Sequence, residues 1–476
     1  MSKRQSPHRR SRKQLTSKGQ GQPQLWGKDC LEIERMSQEG RGVASRRGKV
    51  VFVTGALAGE QVRVQCTAVR RDCDEADMLE LAADSAPSAQ RVLPECPIYG
   101  QCGGCTLQHW SPAAQRQHKE ASLQAALRRV SPTLALDSPI TSPYSGFRHR
   151  LRLLVTRGSG GSYILALRQR RSHAAAEPGQ CLIAVPPVNR LLQALPGILA
   201  GAPDLQGLRE IEIDADSESQ LGVCLYFAAN PGERILSALA GMILDNGVVS
   251  LRAYLNTRKQ PDRAVQNDHA ELEETGAWQE LLACGELCLR LEAPRGATTG
   301  ELCLSYLPGD FTQTNLEVNS ALVRRAMDWL QPTTDEVALD LFCGIGNFSL
   351  ALARRAQSVH AMEGDSAMVR RVVSNAQRNT LANLRVRTCN LLADDVQLPA
   401  ADIAVLDPPR SGARAVCAAL ARSGVARLVY VSCHPATLLR DAEILRAAGL
   451  QLSRAAAVDM FPHSGHSEAI TLFTRI

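Results

Sequence analysis

The run Leu339-Asp340-Leu341-Phe342-Cys343-Gly344-Ile345-Gly346-Asn347-Phe348 constrains this chain more than any other. An apolar stretch ends in two glycines one residue apart, and a helical pattern over Phe348–Ala356 follows. A strand that turns sharply into a helix calls for this order, because glycine adopts backbone conformations that other residues resist. Apolar runs at Val359–Met362, Ile403–Leu406, Leu428–Val431 and Ile470–Phe473 continue the pattern, with a polar-faced helix over Ser366–Asn379 between the first two. Strands alternating with helices predict an α/β fold whose sheet is parallel and doubly wound, in the Rossmann manner. Such sheets bind their ligands at the carboxyl ends of the strands.

Four candidate sites fall at those ends. Glu363 closes the strand after the glycine turn, where a carboxylate can hold ribose hydroxyls. The third glycine of a dinucleotide fingerprint is replaced by Ser349, which points away from a pyrophosphate and toward S-adenosylmethionine. Asp407-Pro408-Pro409-Arg410 follows a buried run and delivers an acid to the same edge. Asp-Pro-Pro in this position resembles methyltransferases that act on nucleobases. Amino-group methylators place an aromatic after the prolines and cytosine-C5 RNA methylators a cysteine, and Arg410 fits neither. Cys433, in Ser432-Cys433-His434-Pro435, puts a thiol after another buried run. The loop 459–468 carries His463, His466 and Glu468.

The rest of the chain reads differently. Short strands at roughly ten-residue spacing over 25–70 predict a small OB-like β-barrel. Its basic residues Arg41, Arg46, Arg47 and Lys49 gather at one hairpin. Residues 147–171 hold seven arginines and no acid, and Arg148, Arg150 and Arg152 alternate so that a strand would place them on one face. Both patches suit an anionic partner such as RNA. Cys96, Cys102 and Cys105 can wrap one metal centre, zinc or iron–sulfur, with a fourth ligand expected at Cys181. The net charge of +6 has a local origin: Lys3, Arg4, Arg9, Arg10, Arg12, Lys13 and Lys18 form a tail without acids, leaving 47 basic and 48 acidic residues elsewhere. No run is apolar enough to span a membrane, and the N-terminus lacks a secretory signal's apolar stretch, so a cytoplasmic chain with mostly reduced cysteines is expected.

Together the glycine turn, Asp407-Pro-Pro, the Cys433 run and the cysteine cluster resemble the RNA uracil-C5 methyltransferases, over most of the chain from about residue 25. The resemblance implies S-adenosylmethionine as cofactor, with Gln313, Phe342, Asn347, Glu363, Asn390 and Asp407 lining its site. It implies Cys433 as nucleophile and Glu468 as the base that removes a proton. It also implies a [4Fe–4S] cluster on Cys96, Cys102, Cys105 and Cys181, and a TRAM barrel at the N-terminus. The expected organisation is a disordered tail (1–24), a TRAM barrel (25–90), a β-rich cluster domain with an arginine hairpin (91–310) and a methyltransferase domain (311–476). Arg41, Arg46, Arg47, Lys49, Arg148, Arg150 and Arg152 would contact RNA. The implied partner is 23S ribosomal RNA, with uridine 1939 as target, and from the size of that partner a monomer is expected. Uridine 747 of that RNA, uridine 54 of tRNA and a non-catalytic iron–sulfur RNA sensor are the alternatives. One departure is visible: the family's Ser-Cys-Asn-Pro has His434 in place of the amide.

Overall fold

The computed structural model describes residues 27–158, 162–170, 175–202, 205–256, 276–283, 285–292, 300–420 and 422–475. The expected basic tail lies outside them. The described residues divide into two compact units, one up to Ser37 with Arg41–Ser88, the other Gln38–Gly40 with those from Ala89 onward.

Alternating apolar residues build the first unit. Its strands are β1 (Lys28–Glu32), β2 (Arg35–Met36), β3 (Gly42–Arg46), β4 (Lys49–Thr54), β5 (Gln61–Val69) and β6 (Cys73–Leu81), in the order β1-β5-β6-β4-β3-β2. Leu31, Ile33, Val51, Val53, Val62 and Val64 form its core. Ile33 N–H donates to Glu60 O (2.9 Å) and Glu34 N–H to Val43 O (2.9 Å). The chain between β1 and β2 therefore bridges both edges of the sheet and closes it. At the β3–β4 hairpin, Arg46 pairs with Asp29 (2.6 Å), Lys49 with Asp74 (2.6 Å), and the Arg41 guanidinium sits 4.5 Å from the Phe52 ring centre. Arg47, at the tip with φ of 51°, is exposed.

The second unit opens with α1 (Pro112–Leu127) and continues into a central sheet of β7 (Arg150–Arg157), β8 (Tyr163–Arg168), β9 (Ala175–Ala176), β10 (Leu208–Ala215), β11 (Leu221–Phe227), β12 (Val248–Asn256) and β13 (Gly276–Ala283). Their order is β13-β12-β11-β10-β7-β8-β9. Helices α2 (Pro186–Gly201) and α3 (Glu233–Leu244) cover the apolar face made by Leu151, Leu153, Ile211, Ile213, Val223 and Leu225. A hairpin of β14 (Leu287–Leu291) and β15 (Leu302–Tyr306) follows, with Cys288 and Cys303 joined across it. The other twelve cysteines among the described residues are free.

The C-terminal sheet contains β16 (Val337–Leu341), β17 (Ser358–Glu363), β18 (Leu384–Thr388), β19 (Ile403–Leu406), β20 (Arg427–Ser432), β21 (Leu450–Val458) and β22 (Glu468–Arg475). Helices α4 (Leu316–Leu330), α5 (Ser349–Ala353), α6 (Ser366–Arg378), α7 (Arg414–Leu420) and α8 (Pro435–Ala447) alternate with these strands. The order is β18-β17-β16-β19-β20-β22-β21, parallel except for β22, which runs antiparallel to both neighbours. The α/β expectation holds here. Chain order reverses direction between β16 and β19, which opens a crevice at their carboxyl ends.

The cationic face expected from Arg148, Arg150 and Arg152 is corrected by the neighbouring strand. β10 carries Glu210, Glu212 and Asp214 in register, with Asp214 opposite Arg150 and Glu212 opposite Arg152. Arg150 pairs with Asp214 and, at 3.5 Å, with Glu212, and its side chain is mostly buried. Arg152 donates to Glu210 (2.6 Å) and lies 4.0 Å over the Tyr226 ring, while Arg168 takes the other Glu210 oxygen (2.6 Å). Arg148 donates to Arg150 O (2.8 Å) and faces the thiols of Cys102 and Cys181. The stripe is thus largely neutralised inside the sheet. Removing one side of such a buried pair leaves an uncompensated charge. Arg150→Ala should cost about 3–5 kcal/mol in urea unfolding, whereas Arg47→Ala at the barrel tip should stay within about 0.5 kcal/mol of the parent.

Candidate active site

Chain connectivity brings the predicted residues to one edge. Phe342 follows β16, Glu363 ends β17, Asn390 lies two residues past β18, Asp407 follows β19, and Cys433 follows β20. Glu468 arrives from the opposite direction. The β20–β22 register runs from Arg427 opposite Thr474 to Ser432 opposite Ala469, so the next opposed positions are Cys433 and Glu468. An antiparallel last strand is what allows a C-terminal carboxyl group to meet a thiol at the end of a parallel strand.

The glycine turn is tightly specified. Phe342 has φ of +64°, and Phe342 and Cys343 N–H groups both donate to Met362 O (3.0 and 3.2 Å). Gly346 has φ of +98°, a left-handed backbone that strains any other residue, and a Cβ there would also press on the Leu350 side chain (2.5 Å to Cδ1). Glu363 accepts from Gly344 N–H (3.0 Å), Gly364 N–H (2.7 Å) and Asp365 N–H (3.1 Å), which fixes its carboxylate beside the turn. Asp340 beneath it accepts from the Ser349 hydroxyl, and its other oxygen is buried without a partner. Burial pushes Asp340 up to about 7 against that hydroxyl's pull.

Other predicted cofactor residues have partners of their own. Asn347 exchanges two amide hydrogen bonds with the buried Asn319 (2.9 and 2.8 Å). Asn390 is exposed and accepts from Leu392 N–H (3.0 Å). Gln313 sits in the segment between β15 and α4, between an exposed Phe311 and a fully buried Asn315.

On the other side of the crevice, burial dominates the electrostatics. Asp407 is pushed up to about 7 by burial and by Asp340. Glu468 is pushed up to about 8 by burial and by Asp407, while Lys119 and Arg410 pull it back. Cys433 is pushed up to about 11 by burial and by Glu468 and Asp407, with Arg410 opposing. Without a bound cation, the thiol and Glu468 therefore both hold their protons at neutral pH. His434 is the residue that opens α8, and its side chain makes no capping bond; Ser432 Oγ accepts its N–H instead (3.2 Å). An asparagine in that place could cap the helix itself.

The loop leading to Glu468 is held at every turn by residues that periodicity did not single out. Lys119 donates to Asp459 Oδ1 (2.8 Å) and Phe461 O (2.9 Å). Asn315 donates to Met460 O (3.2 Å) and caps α4 through Val318 N–H (3.3 Å). Gln115 accepts from His463 N–H (2.9 Å). Thr106 and Leu107 N–H both donate to His463 O (2.8 and 2.9 Å), so the segment just after Cys105 is tied to this loop. The one available signal was the spacing of Gln115 and Lys119, which places both on one face of a helix.

Cys96, Cys102, Cys105 and Cys181 lie within electrostatic reach of one another. Burial, reinforced by Cys181, Cys102 and Cys96, raises Cys105 to about 12. Cys102 and Cys181 shift upward for the same reasons. Gly104 N–H donates to Cys102 Sγ (3.4 Å), and Gly103 packs its Cα against the backbone of Arg168 and Arg170. Among the described residues no three His, Cys, Asp or Glu side chains are arranged to hold a metal ion.

Comparison with known proteins agrees with this geometry. Residues 301–476 match the tRNA (Uracil-5-)-methyltransferase family model. The 23S rRNA (uracil(1939)-C(5))-methyltransferase of Chromohalobacter salexigens is 37% identical over 94% of this chain and 89% of its own length. That of Pseudomonas putida is 36% identical, over 94% and 93%. The tRNA (uracil-54, C5)-methyltransferase of Pyrococcus abyssi, solved with S-adenosyl-L-homocysteine, shares the fold with a TM-score of 0.70 at 19% identity, over 94% of this chain and all of that one. With its thiol, its opposed carboxyl group and its glycine turn on one sheet edge, the chain belongs to the family of the 23S rRNA (uracil(1939)-C(5))-methyltransferases.

Proposed function

We propose that this protein transfers a methyl group from S-adenosylmethionine to C5 of uridine 1939 in 23S rRNA through a covalent adduct on Cys433. The observation that carries the reading is the opposition of Cys433 and Glu468 at the carboxyl edge, beside Asp407. S-adenosylmethionine, when bound, supplies an electrophilic methyl group on a positive sulfonium. The residues present suit it: a glycine turn that admits close approach, Glu363 poised for ribose, and Asp340 and Asp407 as negative partners on the same edge. In this reading Phe342, Asn347, Asn390 and Gln313 complete that pocket.

Uracil C5 is a poor nucleophile, so the chain must activate it. Cys433 thiolate adds to C6, and the electron pair of the C5–C6 double bond becomes an enolate centred on C5, which takes the methyl group. Glu468 carboxylate then removes the C5 proton. The C–H electron pair restores the double bond as the C6–S bond breaks, which returns the thiolate to Cys433. Both groups must be ionised to act, and both are held protonated by burial in the free protein. A cationic ligand therefore does two jobs, since its charge lowers the thiol and the carboxyl group together.

Cys96, Cys102, Cys105 and Cys181 are read as ligands of a [4Fe–4S] cluster, in a TRAM–cluster–methyltransferase organisation with boundaries near residues 90 and 310. A cuboidal cluster separates its thiolates more widely than a single ion with Zn–S of about 2.3 Å, which suits thiols that sense one another without closing on one point. Its role is structural, bracing the 96–105 segment that runs into the loop carrying Glu468. RNA is held by Arg47 and its hairpin neighbours and by the basic tail. The reading takes the enzyme as a cytoplasmic monomer; among the described residues no helix is long and apolar enough to cross a membrane.

Incubating the protein and cofactor with 5-fluorouridine-substituted 23S rRNA tests the chemistry, because fluorine at C5 cannot leave as a proton. A denaturation-stable adduct is expected, absent in Cys433→Ala, and Glu468→Gln should trap the corresponding adduct, with hydrogen and methyl on C5, on unsubstituted RNA. No adduct from folded, cofactor-binding protein would refute covalent catalysis. Anaerobically purified protein should contain about four iron and four sulfide per chain, and Cys181→Ser should lose them; one zinc per chain would refute the cluster.

A further inference from the structure

We propose that Lys119, on α1, is a positioning residue for this reaction: it holds the loop that delivers Glu468 and sets a fixed cation within electrostatic reach of that carboxylate. The inference rests on the reading of Glu468 as the base.

Lys119 is only 4% exposed, and lysine is rarely so buried without a partner. Its ammonium binds Asp459 Oδ1 at 2.8 Å and Phe461 O at 2.9 Å, both in the segment that enters β22 at Glu468. Holding the loop does not by itself require a charge. Asn315 binds Met460 O and Gln115 binds His463 N–H, two neutral amides on the same stretch. A buried ammonium costs more to desolvate than an amide, so its charge calls for a function.

The groups acting on Glu468 come from four directions. Asp407, past β19, disfavours its ionisation, and the Cys433 thiolate at the end of β20 would do the same once formed. Lys119 from α1 and Arg410 beyond Pro409 favour it. Arg410 is exposed and leans on His466 (2.9 Å), so solvent screens it. Lys119 lies in dry surroundings, where a charge acts with less screening. It is the steadier of the two cations, and it keeps the base usable while a second negative charge forms nearby. Asp459 partly offsets it, which makes the pair adjustable in both directions.

The test separates charge from scaffolding. With 23S rRNA labelled with tritium at uridine C5, tritium release reports proton removal, and S-adenosylhomocysteine formation reports methyl transfer. Single-turnover release in the parent protein should rise with pH along a limb set by ionisation of Glu468. Lys119→Met should move that limb upward by about one pH unit. Asp459→Asn, which leaves the lysine less neutralised, should move it downward, and methyl transfer should change less than release in both. A purely structural lysine predicts lower rates in both variants with no movement of the limb, and that result, or movement in the same direction, would overturn the proposal. If Lys119→Met does not fold, the downward shift in Asp459→Asn decides alone. Failure of Glu468→Gln to trap the adduct would instead refute the base itself, and this inference with it.

Discussion

Burial of charge at a single sheet edge governs this molecule. Asp340, Asp407, Glu468 and Cys433 all stand in or beside the crevice between β16 and β20, and burial raises every one of them. With Glu468 near 8 and the thiol near 11, the reacting pair is mostly uncharged at neutral pH in the free protein. It becomes reactive only when positive charge enters. That arrangement protects the thiol from idle chemistry, because the thiolate is the nucleophile and it is scarce until the cleft is filled. The cost is that each negative group disfavours the others, so the position of every nearby cation matters.

The same rule shapes the parts that do no chemistry. In the central sheet, Arg150 lies between Asp214 and Glu212 because no buried guanidinium persists alone. Around the loop 459–467, polar groups are matched one by one: Lys119 with Asp459, Asn315 with Met460 O, Gln115 and the 106–107 backbone with His463. His463 itself takes a left-handed backbone (φ of 62°) that this surrounding network sustains. A loop so constrained presents Glu468 in one place, which a base needs if it is to reach a single C–H bond.

Much of this was legible in the sequence where the signal is local. The turn at 339–348 requires glycine for steric reasons that hold in any context, and the apolar runs before Asp407 and Cys433 are long enough to identify as buried strands. The opposition of Cys433 and Glu468 was not legible from spacing, because it depends on β22 being inserted antiparallel beside β20. The arginine stripe misled for a related reason. Its neutralising acids lie about sixty residues later, on a strand whose pairing leaves no local trace. Lys119 gave only the weak signal of sharing a helix face with Gln115: a lysine among Gln, Arg, His and Glu on a helix reads as solvated until the fold closes over it.

Mapping 5-methyluridine in 23S rRNA tests the central claim most directly. In cells lacking this gene, 23S rRNA should lose one 5-methyluridine, at position 1939. The parent gene should restore it, and Cys433→Ala should not. Full methylation of that position without the gene, or restoration by Cys433→Ala, would contradict the account.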